Sequence, residues 1–422
     1  MSLIGWWKLD GNAYDSSPAR DNGIVTGVTY DPSYGIIGQG GNFTSGGNTY
    51  IDITQINITT HHTLCFWMYS NESEPSGPGA FLMGEFNSAV NYIAVFDSCY
   101  FMYSDGSGGY DWSGDTDFYH RWRHVAMLFD TSTVELFLDG ITQGTKSYDG
   151  TFTLNNFGTG YLSSEPDLDY NGYLNDIRVY DHILSVREIK EISRCKIFHA
   201  RCDYNTFDSA TDYSVIKPTI INSPGSSLYN TINYRTGIGC IDFSNTTTTY
   251  IDYGNPNVLK FNTNCTICFR INLNSLPAVF AFVIAKAFSG EGSIGVISTG
   301  AVALYWGTAG DNGNPDSYSY SSVGAITTES WISIAVVRHE QDETCHWYKN
   351  GQFLNSNITT WGAAISGDRN FYLGYEADLT DYPTLDGLLD DIRIYNSALS
   401  ADDILEIHQT SAQLDNKGNL WC

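Results

Sequence analysis

The sequence predicts an all-β protein made of two tandem antiparallel β-sandwich domains, each ending in a short helix. Three observations predict this fold: one block of sequence recurs in both halves, apolar residues alternate along short segments, and Gly-containing turns separate those segments. Helical patterns are confined to the end of each half. The predicted boundaries are residues 1–195, residues 196–410 and a C-terminal tail, 411–422.

The clearest repeat lies near the end of each half. Gly172–Tyr180 reads GYLNDIRVY, and Gly387–Tyr395 reads GLLDDIRIY. Three more pairs occur upstream in the same order: Tyr50–Ile53 with Tyr250–Tyr253, Thr63–Met68 with Thr266–Ile271, and Arg121–Ala126 with Ser330–Ala335. Conserved order over a whole half indicates a duplication rather than a coincidence of composition.

Matching strands and hairpins are predicted in the two halves. Apolar residues alternate in Leu64–Met68 and in Ile267–Ile271, which is the period of a half-buried strand. Asp139-Gly140 and Asn350-Gly351 each follow a strand pattern and suit a two-residue hairpin turn. Trp122 and Trp331 recur at a strand start in each half, which predicts core positions.

A short helix is predicted after the last strand of each half. Ser185 with Glu188, and Ser400 with Asp403, are typical of an N-cap followed by an acidic residue at the third helical position. The apolar spacing that follows predicts helices of about two turns.

These motifs resemble the laminin G-like jelly-roll of the concanavalin A-like superfamily. The resemblance rests on Trp7–Asp10, Asp15–Ser17, Gly35–Gly38 leading to Asn42-Phe43, Phe66-Trp67, Trp122–Val125, the Asp139-Gly140 hairpin and Asn175–Tyr180. The second half keeps the later motifs, whereas its opening, Phe198–Asp203, is degenerate. The resemblance covers nearly the whole chain. It is more specific for fold than for function, because the superfamily includes lectins, glycan-binding modules, adhesive viral proteins and glycanases.

The charge of the chain argues against several partners. The formal net charge is −26 at pH 7, and both halves are acidic, so phosphate backbones and anionic lipid would be repelled. Nucleic acid and membrane are therefore not expected as partners, and no run of 18 apolar residues occurs. The start, MSLIGWWKLDGN, lacks the pattern of a secretory signal. We expect a chain kept in a cytoplasm, released by lysis, or given in mature form.

Nine cysteines are scattered along the chain. Cys195 and Cys202 are close enough in sequence to pair, but the sequence does not establish a disulfide. Cys265 and Cys268 form a CxxC inside a strand pattern without a second CxxC or a CxxH. This pattern favours buried free thiols over a zinc site.

No catalytic motif is complete. The resemblance implies that a glycanase would carry paired carboxylates on one strand in a Glu-x-Asp-x-(x)-Glu pattern. The nearest segment is Glu165–Asp169, which ends in Asp and contains Pro166, and its counterpart Glu376–Thr380 lacks the third acid. HExxH, GxSxG and nucleotide-binding motifs do not occur. The sequence therefore predicts no enzyme activity.

A structural calcium ion is implied by the resemblance. In similar jelly-rolls a cation ties the first strand to the last, which suggests Asp10 with Asp176 and Asp203 with Asp391. Carboxylate and carbonyl oxygens are calcium ligands. The alternative is that Asp176 and Asp391 cap strand ends or pair with nearby arginines, and it is favoured for the second half.

Two corresponding loops carry candidate ligand-binding residues. Residues 105–119 and 307–320 are rich in Gly and Asp and contain aromatic residues. Aromatic faces bind the C–H surface of sugars while Asp and Asn bond hydroxyls, which predicts lectin-like chemistry. The candidates are Asp105, Tyr110, Asp111, Trp112, Asp311, Asp316, Tyr318 and Tyr320. The alternative is that these are fold-supporting loops in a Tyr-rich chain.

The interpretation that follows is a non-enzymatic adhesion module on a virion surface, a fibre or decoration protein that binds glycan. An alternative is a purely structural coat or fibre subunit whose sandwiches contact other virion proteins. A glycoside hydrolase is the third reading. A homo-oligomer is compatible with each.

Overall fold

The chain divides after Cys195 into two units of mostly antiparallel β-structure, Met1–Cys195 and Lys196–Cys422. In the part of the chain that the structure describes, each unit contains an eight-stranded and a seven-stranded sheet, which confirms the predicted fold class. This computed structural model describes residues 2–46, 49–71, 80–86, 91–96, 100–105, 109–112, 118, 120–147, 152–158, 169–200, 202, 219–221, 229–230, 232–235, 239–243, 250–255, 259, 263–286, 290–308, 317–340, 342–358, 364–365, 367–374 and 383–412.

In the first domain the eight-stranded sheet has the order β13-β12-β11-β6-β15-β4-β3, with β1 also paired to β15. The seven-stranded sheet has the order β10-β9-β8-β7-β14-β5-β2. The elements are β1 Leu3–Trp7, β2 Ile24–Thr26, β3 Thr29–Asp31, the 3-10 turn η1 Pro32–Tyr34, β4 Gly40–Phe43, β5 Tyr50–Ile58, β6 His62–Ser70, β7 Ala80–Gly84, β8 Asn91–Phe96, β9 Tyr100–Asp105, β10 Gly109–Trp112, β11 Trp122–Phe129, β12 Thr133–Leu138, β13 Ile141–Ser147, β14 Phe152–Phe157, β15 Gly172–Tyr180 and α1 Val186–Ser193.

The second domain repeats this plan. Its eight-stranded sheet has the order β18-β19-β30-β21-β26-β27-β28 with β16 paired to β30, and its seven-stranded sheet the order β17-β20-β29-β22-β23-β24-β25. The elements are β16 Lys196–Ala200, β17 Thr219–Ile221, β18 Tyr229–Asn230, β19 Cys240–Asp242, β20 Tyr250–Asp252, β21 Cys265–Leu273, β22 Phe280–Ala285, β23 Ser293–Ile297, β24 Val302–Trp306, β25 Ser317–Tyr320, β26 Ile332–His339, β27 Thr344–Lys349, β28 Gln352–Ile358, β29 Tyr372–Leu373, β30 Gly387–Tyr395 and α2 Ala401–Ala412.

Strand β6 shows how alternation builds the core. Leu64, Phe66 and Met68 are buried in the cluster between the two sheets. Cys65, which lies between two of them in sequence, packs instead against Ile189 of α1 on the outer face of the sheet. Each β-sheet therefore has an inner face toward its partner sheet and an outer face, and the helix covers part of the outer face.

Trp122 and Trp331 are not core residues, so that prediction was wrong. Both are only half-buried. Val125 on β11 and Ile332 on β26 face inward, and side chains alternate along a strand. The tryptophans therefore lie on the outer faces of their sheets.

Both predicted hairpins are present at Asp139-Gly140 and Asn350-Gly351. Asp139 and Gly140 have φ of 50° and 79°, and Asn350 and Gly351 have φ of 51° and 76°. Two consecutive positive φ angles define the tight turn that matches the twist of the flanking strands. The hairpins join β12 to β13 and β27 to β28.

Both predicted N-caps are present. Ser185 and Glu188 form a complete capping box at the start of α1. At α2, Asp403 N donates to Ser400 Oγ at 3.2 Å, and Ser400 Oγ donates to Asp403 Oδ2 at 2.6 Å. α2 has 12 residues and is longer than the two turns predicted, so it passes the boundary placed at residue 410. Residues 413–422 of the proposed tail lie outside the described part of the chain.

The described cysteines are free and buried. They include Cys195 and Cys202, so no disulfide joins this pair, and the CxxC residues Cys265 and Cys268, whose thiols are buried as predicted. Neither described helix is long and apolar enough to cross a lipid bilayer.

Candidate functional site

Two of the predicted ligand-binding residues of the second domain lie together on one edge strand. Tyr318 and Tyr320 are on β25, and the neighbouring β24 brings Tyr305 directly opposite Tyr318. Asp311 and Asp316 lie outside the described residues.

Ser319 shows which face of the sheet these tyrosines occupy. Trp347, a fully buried residue of the eight-stranded sheet, donates its indole N–H to Ser319 Oγ at 2.8 Å. Ser319 therefore faces the core between the sheets. Because side chains alternate, Tyr318 and Tyr320 lie on the outer face.

Three rings meet on that face, and we call Tyr305, Tyr318 and Tyr320 the tyrosine surface. The ring centroids of Tyr318 and Tyr320 are 5.4 Å apart, and those of Tyr305 and Tyr320 are 5.9 Å apart with planes at 89°. The hydroxyls of Tyr305 and Tyr320 are 2.6 Å apart and share a hydrogen bond. Tyr318 is 55% exposed, while the other two rings are half-buried.

An aromatic base supports the tyrosine surface from one side. The ring of buried Phe280 on β22 lies 5.6 Å from that of Tyr305 in an edge-to-face contact. Phe280 also contacts Phe282 at 4.8 Å. Aromatic pairs of this geometry stabilise beyond their buried area, so Tyr305 has a defined position.

Two asparagines of β28 hold the strand that carries the tyrosines. Asn357 Oδ1 accepts from the backbone N–H of Tyr320 at 3.1 Å and from Ser319 Oγ at 2.8 Å. Asn355 Nδ2 donates to Tyr320 O at 3.1 Å, and its Oδ1 accepts from Ser322 N at 2.8 Å. Among the described residues β25 has no strand partner on this side, and these amides satisfy its backbone groups instead.

The sequence did not identify Tyr305, Asn355 or Asn357 as part of a site. Tyr305 belongs to a different strand, and only the pairing of β24 with β25 brings it beside Tyr318. Asn357 stands in an Asn-x-Thr sequence, a pattern too common to indicate a role. The alternation of Tyr and Ser in Ser317–Tyr320 is the available signal, since it places both tyrosines on one face.

The corresponding segment of the first domain behaves differently. β10 pairs with β9, so part of the predicted loop is a hairpin strand. The side chains of Asp105, Tyr110 and Asp111 lie outside the described part of the structure. Trp112 is 4% exposed, belongs to the core, and donates its indole N–H to Gly144 O at 3.1 Å. It is paired with the core residue Phe101, so its assignment to a ligand surface was wrong.

Asp176 is an ion-paired carboxylate. Its Oδ1 accepts from Trp6 Nε1 at 2.7 Å and from Arg178 Nε at 3.0 Å. It sits at a bulge in β15 with φ of 54°, a left-handed conformation that Asp and Asn adopt more readily than other side chains. These contacts explain why the first domain carries Asp at this position.

Asp391 occupies the same place in β30, with φ of 48°. Its Oδ1 contacts His199 Nε2 at 2.8 Å and Arg393 Nε at 2.7 Å, and Arg270 Nε lies 3.6 Å from Oδ2. Burial alone would raise the pKa of Asp391, but Arg393, His199 and Arg270 together hold this pKa well below its usual range. The carboxylate is therefore ionised and neutralised by protein cations.

These surroundings do not fit the implied calcium ion. Asp176 Oδ1 and both carboxylate oxygens of Asp391 face N–H donors and guanidinium groups, which compete with a metal for these oxygens. Asp10 Oδ1 accepts from Gln39 N at 2.9 Å, and Asp203 lies outside the described residues. Within the described ranges, no group of three or more His, Cys, Asp or Glu side chains is placed to hold a metal ion. The ion pairs considered as the alternative are present, and calcium stays a prediction.

Of the candidate glycanase acids, Asp169 lies in the part of the chain that the structure describes. Glu165 and Asp167 lie outside the described residues. Asp169 forms an isolated parallel bridge with Phe81 on β7. Because two of these three acids lie outside the described part of the chain, the absence of a hydrolytic carboxylate pair stays a prediction.

A family model described as the concanavalin A-like lectin/glucanases superfamily matches residues 45–190 and 245–405. No curated protein sequence matches the chain. The solved structures similar to it include the Ruminococcus gnavus sialidase CBM40 bound to α2,3 sialyllactose, with 16% identity over 40% of this chain and 96% of that one, TM-score 0.34. Another is the binding domain of Paraclostridial Mosquitocidal Protein 1, with 12% identity over 99% and 95%, TM-score 0.38. Domain 4 of the Geobacillus stearothermophilus arabinanase AbnA, in complex with arabinotriose, has 15% identity over 46% and 98%, TM-score 0.37.

Proposed function

We propose a glycan-binding function for this chain, which belongs to the concanavalin A-like lectin/glucanases superfamily. The proposed site is the tyrosine surface of the second domain. The observation that carries the proposal is that Tyr318 is 55% exposed beside the hydrogen-bonded hydroxyls of Tyr305 and Tyr320.

The chemistry of these groups suits a saccharide. An open tyrosine ring offers an apolar face to the C–H side of a pyranose, and a phenolic hydroxyl both donates and accepts a hydrogen bond. Tyr320 is held through its backbone by Asn355 and Asn357, so its position is set before a ligand arrives. Such preorganisation lowers the entropy lost on binding.

The protein acts by binding and not by hydrolysis in this proposal. The segment Glu165–Asp169 departs from the carboxylate pattern that glycanases of the superfamily use, and hydrolysis needs two acids at a fixed separation. We expect no release of reducing ends from laminarin, agar or bacterial surface polysaccharide. A turnover that disappears on Glu165→Gln would contradict the proposal.

We further propose that the chain is displayed on a virion surface. The net charge of −26 and the described cysteines, which are free and buried, support synthesis in a reducing compartment and exposure to solvent. A structural coat or fibre subunit is the second candidate. It is favoured by Phe353 and Ile358 of β28, which are 58% and 83% exposed and could meet another virion protein.

The test is a glycan array probed with the full chain and with Tyr318→Gly. We expect the variant to lose about tenfold in affinity for the strongest ligand, the effect of one or two aromatic contacts. Tyr14→Gly is the matched control because Tyr14 is also exposed, at 65%, and lies in the first domain. Equal binding by both variants would contradict the proposed site.

A further inference from the structure

The first domain carries an aromatic array on a different sheet. The rings of Tyr34 and Tyr173 are stacked with centroids 4.7 Å apart, and Tyr173 stacks on Tyr69 at 5.3 Å. Trp122 continues the row, 5.7 Å from Tyr69. All four rings are half-buried. We call these four residues the aromatic ladder.

Strand pairing places the aromatic ladder on the outer face of the eight-stranded sheet. Tyr173 on β15 is directly opposite Tyr69 on β6, and Tyr69 is directly opposite Trp122 on β11. Met68, the neighbour of Tyr69, belongs to the core between the sheets. Because side chains alternate, the ladder points away from that core.

Amide side chains continue the outer face around the aromatic ladder. Asn42 on β4 is paired with Tyr173. Asn71 and Asn171 are two residues from Tyr69 and Tyr173, and Asn71 N donates to Asn171 O at 3.0 Å, so the strand pairing extends to them. These three amides are half-buried.

The fold does not require the aromatic ladder. In the second domain Leu388 and Asn272 take the register positions of Tyr173 and Tyr69, since they pair with each other between β30 and β21. Trp331 corresponds to Trp122, but its indole N–H is bonded to Asn233 Oδ1 at 3.2 Å. The eight-stranded sheet of the second domain therefore folds with one aromatic ring where that of the first domain has a row of rings.

We propose that the aromatic ladder is a second saccharide-binding surface, specific for a neutral oligosaccharide. Trp122 is tilted by 58° from Tyr69 rather than stacked on it, so its indole can offer a face to a sugar ring. The tyrosines supply ring edges and hydroxyls, and the amides supply the paired donors and acceptors that sugar hydroxyls need. The rim of amides carries no charge, which favours an uncharged ligand.

This site is independent of the tyrosine surface, and the two can be tested separately. The probes are immobilised tetrasaccharides of glucose, galactose, mannose and N-acetylglucosamine, followed by calorimetric titration of the full chain with the strongest binder. The ladder variant is Tyr69→Asn with Tyr173→Leu, which installs the residues that the second domain already accommodates at these positions. The control variant is Tyr305→Ser with Tyr318→Gly, which alters only the tyrosine surface.

We expect the ladder variant to lose binding by about tenfold or more for at least one neutral tetrasaccharide, while the control variant keeps it. Tyr69→Phe with Tyr173→Phe should lose less, because the rings remain. An unchanged melting temperature for the ladder variant separates lost binding from lost folding. The inference is overturned if no tetrasaccharide binds, or if the control variant alone removes all binding. If the control variant binds the tetrasaccharide normally and the ladder variant does not, the ladder is the site for that ligand, and the tyrosine surface is judged separately by the glycan array with Tyr318→Gly.

Discussion

The two domains share one strand plan but place their aromatic surfaces on different sheets. In the second domain the tyrosine surface lies on the seven-stranded sheet. In the first domain, β9 and β10 show the same pairing, and the three register positions of that surface hold Ser104, Gly109 and Asp111. The aromatic ladder of the first domain lies on the eight-stranded sheet, where the second domain has Leu388 and Asn272.

This difference between the two domains shows which positions of the sandwich are free to vary. Inner-face residues fill the space between two sheets and are constrained by packing. Outer-face residues beyond the helix carry no such constraint, so each domain could gain or lose aromatic residues there without loss of the fold. We therefore expect the aromatic surfaces to report function more directly than the repeated motifs do.

The buried carboxylates give a second comparison. Asp176 and Asp391 sit at the same bulge, and each receives an N–H from the first strand, from Trp6 in one domain and His199 in the other. The second domain adds Arg270 to the cluster. A shared backbone conformation is thus combined with a more highly charged environment in the second domain.

The largest predicted effect tests the difference in charge around the two buried aspartates. Asp391→Asn keeps a side chain that accepts a positive φ. It leaves Arg393 without the carboxylate that it pairs with and leaves Arg270 with one nearby buried carboxylate, Asp390, in place of two. We expect a loss of about 3–5 kcal/mol in the free energy of unfolding. Asp176→Asn should cost less, because one arginine is affected. Urea unfolding of the full chain measures both.

Asp402→Asn is the control for these variants, since Asp402 is exposed on α2 and the change should fall within about 0.5 kcal/mol. Equal costs for the two buried aspartates would show that the extra arginine does not distinguish the domains.

The second prediction concerns acid stability. His124 on β11 is fully buried, and burial, with a smaller effect of Arg178, lowers its pKa to about 3. Burial and Arg393 lower the pKa of His199 to about 4 against the opposing effect of Asp391. Because the pKa of each histidine is lower in the folded protein, the unfolded chain binds more protons than the folded chain at pH values below about 6.5, the pKa of histidine in the unfolded chain. Stability contributed by the neutral imidazole is therefore lost as pH falls from about 6.5 toward the folded pKa.

We expect the first domain to lose stability down to about pH 3 and the second to about pH 4, by on the order of a few kcal/mol each. His124→Ser takes the residue of the second domain, Ser333, which holds the same register position. In this variant, the melting temperature of the first domain should fall less steeply as the pH is lowered. His61→Gln, at an exposed position, is the control. An unchanged pH dependence of the melting temperature in His124→Ser would refute the assignment of the acid destabilisation to His124.

The sequence predicted what is local or repeated. Strand alternation in Leu64–Met68 and the Asp139-Gly140 turn depend on neighbours along the chain, and both were predicted correctly. The aromatic ladder was not predicted, because its four rings come from separate segments and meet only through the pairing of β6 with β11 and β15. Trp122 was misassigned for the same reason: recurrence in both halves marks a structural position but not the face on which it lies.

The third prediction tests the amide clamp of the second domain. Asn357→Ala removes the acceptor for Tyr320 N and Ser319 Oγ and should cost about 1–2 kcal/mol in the free energy of unfolding. Glycan affinity should fall by a few-fold if Tyr320 contributes to the site, since its strand loses its tether. Ser356→Ala, exposed on the same strand, is the control. A stability loss without any change in affinity would separate the clamp from the ligand surface.

The smallest predicted effect compares the two helix starts. Ser185 accepts from Glu188 N while Glu188 Oε2 accepts from Ser185 N at 2.8 Å, so two N–H groups at the start of α1 are satisfied. Ser400 and Asp403 make the same exchange, with Ser400 N donating to Asp403 Oδ2 at 3.2 Å. Ser→Ala at either cap should cost about 1 kcal/mol.

We expect the cost to be slightly larger at Ser185. α1 has eight residues against twelve in α2, so the lost capping bonds are a larger share of what holds the shorter helix. Thermal unfolding of Ser185→Ala and Ser400→Ala measures the difference, with Arg187→Ala, exposed on α1, as the control. A larger cost at Ser400 would mean that helix length does not decide the effect, and would point instead to the shorter bonds of Ser400 Oγ, at 3.2 and 2.6 Å against 3.3 and 2.7 Å for Ser185 Oγ.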